Sequence, residues 1–100
     1  MADIFEAPYA RAAAFVNRDG KLLRAKNVVG VAKLETGKYQ ITVTDDIVLK
    51  TAALQATPDT GANWGTSVYV GKTADADHTF IVQTGRGDKA SDQPFYVVVL

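Results

Sequence analysis

Residues 94–100 read Pro94-Phe95-Tyr96-Val97-Val98-Val99-Leu100, and the fold turns on what an extended chain makes of them. Side chains alternate across a strand, so Phe95, Val97 and Val99 take one face and Tyr96, Val98 and Leu100 the other. A strand with one wet face alternates apolar with polar; this one is apolar on both. It reads as a central strand of a small β-fold, one face on the chain's own core and the other covered by a neighbouring subunit. A lone copy is then expected to be incomplete.

Working outward, residues 85–93 form a polar loop, and residues 78–84 before it form a strand with Phe80 and Val82 on one face. Residues 74–77 read as a turn, and 66–73 as a strand with Val68 and Val70 opposed to Tyr69. Residues 58–65, rich in Gly, Pro, Asn and Asp, are a loop by composition. The clearest period of two is Lys38-Tyr39-Gln40-Ile41-Thr42-Val43-Thr44, with Tyr39, Ile41 and Val43 on one face. Upstream, 28–34 is a β-branched run ending at Thr36-Gly37. Downstream, Asp45-Asp46 breaks the pattern, and 47–57 reads as a longer strand bent or bulged near Lys50-Thr51.

Asp19-Gly20, between Phe15-Val16 and Leu22-Leu23, is a hairpin signal. Residues 10–17 are alanine-rich, so a short helix is the alternative to strand-turn-strand there. Seven to eight strands at this spacing predict an all-β domain over 10–100, a small antiparallel β-sandwich or a barrel-like closure of it. Residues 1–9, with Ile4, Phe5 and Tyr9, are expected to be an extended N-terminal arm lying on a neighbour or fraying into solvent.

Composition narrows the partners. Eleven basic and eleven acidic residues cancel, so the basic stripe of a nucleic-acid binder is not expected. The absence of cysteine excludes disulfides, thiolate metal sites and a cysteine nucleophile. Asp3 and Glu6 stand where a signal peptide carries positive charge, and no long apolar run follows. Neither export nor membrane spanning is therefore expected. Synthesis in the cytoplasm, followed by residence there or departure within a larger particle, is the reading.

The order Phe15-Val16-Asn17-x-Asp19-Gly20, Gly37-x-Tyr39-x-Ile41-Thr42-Val43, Val82-Gln83-Thr84 and Ser91-Asp92-Gln93-Pro94-Phe95-x-Val97-x-Val99 resembles a short β-module. Such modules end many uncharacterised bacterial surface-type and fibre-like proteins. The resemblance spans about residues 13–100 and rests on turn and core positions; it brings no catalytic residues with it. The long stalk of those proteins has no counterpart here, so the resemblance implies a free-standing small subunit.

Few side chains suggest chemistry. His78, the only histidine, follows Asp75-x-Asp77, a grouping that suits a metal or a proton relay; without a second ligand or nucleophile it reads as a strand-start residue hydrogen-bonded to the turn. Asp45-Asp46 reads as a strand terminator, and no acidic loop holds a calcium ligand set. Trp64, the only tryptophan, sits in a Gly/Asn/Thr loop, where its ring either stacks on a sugar or packs over the rim or a neighbour. With Asp59, Asn63, Arg86 and Asp88 it forms the candidate glycan-binding set. Arg86-Gly87-Asp88 also spells the integrin-binding triplet, which arises by chance in roughly one or two of a hundred chains this long; a solvated turn is the reading.

No phosphate-binding glycine loop is present, no cofactor is implied, and no acid/base constellation supports an enzyme. The expected function is structural: a small oligomer, a trimer by analogy with fibre and decoration proteins, docking into a capsid or tail of a phage virion. Ile4, Phe5, Tyr9, Tyr96, Val98 and Leu100 are the expected interface. The alternative is a glycan-binding module using the Trp64 loop.

Overall fold

The computed structural model describes residues 3–72 and 78–100. Ten strands follow one another: β1 (Asp3–Ile4), β2 (Ala12–Val16), β3 (Leu22–Lys26), β4 (Val28–Glu35), β5 (Lys38–Val43), β6 (Leu54–Pro58), β7 (Thr66–Lys72), β8 (Thr79–Arg86), β9 (Lys89–Ala90) and β10 (Phe95–Val99). One 3₁₀ turn, Leu49–Thr51, precedes β6, and no α-helix occurs among the described residues. The first sheet has the order β1-β3-β2-β10-β6; the second has β4-β5-β8-β7, with β9 pairing β8.

The all-β, two-sheet expectation holds, with three corrections. The strands among the described residues number ten, because two two-residue pieces add to the expected set: β1, defined by the distant β3, and β9, which closes a tight hairpin on β8. The first sheet is mixed, since β1 runs parallel to β3. No barrel closes among the described residues: the chain changes sheet at β3–β4, β5–β6, β6–β7 and β9–β10, but no ladder joins the two sheets. At the first crossing Asn27 alone separates the strands, with φ 56°. That left-handed conformation suits Asn better than most residues, and its Nδ2 donates to Arg11 O at 2.8 Å.

The Asp19-Gly20 hairpin forms as read. Gly20 takes φ 90°, Asn17 N donates to Lys21 O at 2.9 Å, and Lys21 N donates to Asp19 Oδ1 at 3.0 Å. Residues 12–16 are strand, which removes the helical alternative. The long strand expected over 47–57 shrinks to Leu54–Pro58. Ile47 and Leu49 are buried there as a plug under the sandwich, so their apolarity reflects depth and not strand pairing. The expected loop 85–93 is shorter too, because β8 runs on to Arg86 and Lys89–Ala90 folds back on it. The turn expected at 74–77 lies outside the described residues.

Alternation places the core. Ala12, Ala14 and Val16 of β2, Tyr39, Ile41 and Val43 of β5, Phe80 and Val82 of β8, and Phe95, Val97 and Val99 of β10 all point between the sheets. The small alanines of β2 leave volume for the rings of Tyr39, Phe80 and Phe95, the close packing that interiors require. Tyr39 and Phe95 meet with ring centroids 5.1 Å apart. The last strand is interior to its sheet, paired to β2 on one side and β6 on the other.

Candidate functional site

The outward face of the first sheet comes from the second half of the terminal pattern. Tyr96 and Val98 lie half-buried on it, while Leu100 is 43% exposed. Phe15, directly across from Tyr96 on β2, stacks on the Tyr96 ring at 4.6 Å. Phe5 meets the same ring edge-on at 5.8 Å. The guanidinium of Arg24 stands 5.9 Å from the Phe15 centroid, within reach of a cation–π contact. Asp59 accepts a hydrogen bond from the Tyr96 hydroxyl, which with burial and the Asp59 charge raises the pKa of Tyr96. Burial pushes the Asp59 carboxyl up, but hydrogen bonds from Gly61, Tyr96 and Thr60 and the charge of Arg24 outweigh it and hold it below its ordinary value.

This geometry corrects the picture of a free arm reaching a neighbour. From Asp3 the N-terminal segment packs along its own chain: Asp3 and Ile4 pair with Arg24 and Ala25. Phe5 N donates to Ala25 O at 3.1 Å, Arg11 N to Val99 O at 2.8 Å, and Lys26 Nζ to Ala7 O at 2.7 Å. Of the expected interface residues, Phe5 therefore partly covers Tyr96 itself, whereas Ile4 and Tyr9 stand 83% and 94% exposed. Phe15 and Arg24 belong to the same surface and were not among the candidates; the strand parity of Phe15 against Tyr96 was the available signal.

The second candidate lies on the rim that carries the β2–β3, β4–β5 and β8–β9 turns and the 59–65 loop. Gln93 is almost wholly buried there. Its Nε2 donates to Asn63 Oδ1 at 3.1 Å and to Ser91 Oγ at 2.9 Å, and its Oε1 accepts from Asn63 N at 3.1 Å. Asp59 Oδ2 accepts from Gly61 N at 2.9 Å, and Arg18 donates to Gly61 O at 2.9 Å. Asn63 and Asp59 are thus occupied in shaping the loop. Trp64 is not: its ring is 95% exposed, so it does not fold back over the rim. Arg86 Nε donates to Trp64 O at 3.2 Å, bringing Arg86 beside Trp64. Asp88 lies across the β8–β9 turn on the other sheet's outer face.

The turn and core residues singled out in the sequence converge on the same rim. Gly37 N donates to Asp92 Oδ1 at 2.6 Å, Lys33 Nζ pairs with Asp92 Oδ2 at 3.0 Å, and Thr84 Oγ1 donates to Ser91 O at 2.6 Å. Burial raises the Asp92 carboxyl, but the bonds from Gly37 and Lys33 bring it below its usual range. Gly37, with φ +70°, touches the chain so closely that a Cβ would lie 2.3 Å from Thr84 O. These contacts are structural ties, not chemistry.

His78 Nδ1 faces Ile47 O at 3.2 Å, a contact with the segment after β5. Its acidic neighbours Asp75 and Asp77 lie outside the described residues. Among the described residues no three metal-capable side chains gather. Thr44 Oγ1 donates to Asp46 Oδ1 at 2.6 Å, closing the turn at Asp45-Asp46. Comparison with family models, with curated proteins and with solved structures finds no match for this chain.

Proposed function

We propose that this protein is a non-enzymatic assembly subunit that docks through the outer face of its first sheet. The observation that carries the reading is the row Phe15, Tyr96, Val98 and Leu100, still half-open to water after the N-terminal segment has laid Phe5 against it. Contiguous apolar surface of this kind marks an interaction site more often than a solvated face. Tyr9 and Ile4, both far out in solvent, extend the same offer. Each large apolar side chain fully buried on association contributes roughly 1.5–3 kcal/mol, set against the entropic cost of bringing copies together. A closed homo-oligomer is the simplest product, and a trimer docking on a capsid or tail as a decoration or fibre-type component of a phage virion is the form proposed.

Sedimentation velocity tests this. The chain is expected to run as a discrete oligomer at micromolar concentration, and Leu100→Asp with Tyr9→Asp to release monomers. These should keep the parent's far-ultraviolet circular dichroism but melt earlier, since association no longer stabilises the native state. A monodisperse monomer at millimolar concentration overturns the reading.

A glycan-binding module is the second reading, favoured by the free Trp64 ring. It predicts that Trp64→Ala leaves the oligomer intact and removes binding on a glycan array; loss of the oligomer with no glycan ever bound argues for assembly instead.

A further inference from the structure

The outer face of the second sheet carries a groove apart from the assembly face and the Trp64 ring, with Asp88 of the candidate glycan set in its wall. Its floor is one row across three strands: Tyr69 on β7 opposite Gln83 on β8, and Gln83 opposite Lys38 on β5. Two hairpin turns wall it, Glu35 at the β4–β5 turn and Asp88 with Lys89 at the β8–β9 turn, around about 310 Å³. That volume lies at the small end of natural ligand sites. Gly85 lets the second wall close in, for a Cβ there would lie 2.8 Å from Lys89 O.

Two properties separate this groove from the Trp64 rim. Tyr69 is 66% exposed, so its ring is available, and the polar groups around it are free. Among the described residues the side chains of Gln83, Glu35, Lys38, Asp88 and Lys89 make no hydrogen bond or ion pair, in contrast to Asp59 and Asn63.

From this we infer that the Tyr69 groove is a binding site for an uncharged oligosaccharide. Two carboxylates and two ammonium groups cancel around the groove, so neither an anion nor a cation is selected. What is selected is a neutral molecule that both donates and accepts hydrogen bonds. Vicinal hydroxyls do this: a carboxylate accepts from two of them, an ammonium donates, and the Gln83 amide does both. The apolar C–H face of a pyranose lies on an aromatic ring, whose negative face meets its positive hydrogens. The row spans two strand spacings, about 10 Å, the length of two linked pyranose rings. The inference is independent of the assembly reading, since the two sheets' outer faces point apart.

The test is calorimetric titration of the full chain with neutral hexasaccharides of the cellulose, maltose, laminarin, chitin and mannan series, with a heparin hexasaccharide beside them. At least one neutral sugar is expected to bind with Kd below about 1 mM. Tyr69→Ala and Gln83→Ala should each weaken it about tenfold or more, Tyr69→Phe should keep most of the affinity by keeping the ring, and Trp64→Ala should change nothing. Unaltered melting temperatures establish that the variants are folded. The inference is overturned if no neutral sugar binds, if only heparin binds, if Tyr69→Ala binds as the parent does, or if Trp64→Ala alone abolishes binding.

Discussion

Gln93, Tyr39 and Trp64 show how differently single side chains are used at one end of this molecule. The Gln93 amide is buried and bridges Asn63 to Ser91. Gln93→Leu keeps the volume but strands the Asn63 N–H and Oδ1, and an unmet buried group costs about 1–3 kcal/mol. Urea denaturation should show a loss of about 2 kcal/mol. Tyr39 is fully buried and donates through its hydroxyl to Arg18 O at 2.7 Å. Burial first, and then the Asp92 charge, push its pKa from 10.0 up to about 12. Between those values the native state keeps a proton that the unfolded chain has released, so stability must fall as pH rises. That contribution is complete below about pH 10 and lost on passing about 12. Tyr39→Phe should flatten this alkaline phase and lower neutral stability by about 1 kcal/mol, the worth of the lost bond; an unchanged alkaline melt in the variant would refute the assignment. Trp64 was recognisable from the sequence as unusual, but not its direction. Loop composition sets where the chain turns, whereas the outward ring follows from Gln93 and Arg86 holding the backbone on either side of it. The same contacts explain why Asp59 and Asn63 looked like ligand groups: a free carboxylate and one already hydrogen-bonded read alike in sequence.

At the scale of elements, what the sequence announced was what local pattern alone determines. β5 alternates half-buried and buried through all six of its residues, and the Asp19-Gly20 turn fixes its own hairpin. β1 was not legible, because its two residues form a strand only when the distant β3 supplies the ladder. β9 is a local hairpin on β8 across Gly87-Asp88, but the polar composition of 85–93 reads as loop whether or not two of its residues pair. The 47–53 stretch misled for a related reason: Ile47 and Leu49 are apolar because they cap the core, and burial needs no strand. The second face of β10 was half-read; it demanded a cover, and part of that cover proved to be Phe5 and Phe15 of the same chain. The clearest element-level test is the β4–β5 turn. Gly37→Ala puts a methyl into Thr84 O and Ser91 N at a φ that L-residues avoid. Both the Asp92 bond and the Gly37–Thr84 pairing must then open. A drop in melting temperature well beyond that of Gly87→Ala is expected, since Gly87 shares a positive φ but has open space around it. Equal losses would place the penalty in backbone conformation alone and remove the close approach from the account.

For the whole molecule the balance of charge and apolar surface decides how copies meet. Eleven positive and eleven negative residues leave no net charge, with an isoelectric point near 6.5, so neither long-range repulsion nor steering acts strongly between subunits. The one ion pair found among the described residues, Lys33 with Asp92, lies within the fold. An oligomer built on Tyr96, Val98 and Leu100 is then held by removal of apolar surface from water. Such contacts are little affected by screening, and they weaken on cooling because their driving force near room temperature is entropic. The sedimentation profile should therefore stay unchanged between about 0.05 and 0.5 M sodium chloride, a range over which the Debye length shortens severalfold. Sodium sulfate at equal ionic strength should tighten association, and lowering the temperature to near freezing should loosen it. Trp64, on the rim, tests separately whether the contact extends that far. In the monomer its bare ring should emit as it does in the unfolded chain, and a blue shift that grows with protein concentration would place it inside the contact. Dissociation by modest salt would mean that charged groups hold the copies together and that the outer face of the first sheet is not the contact.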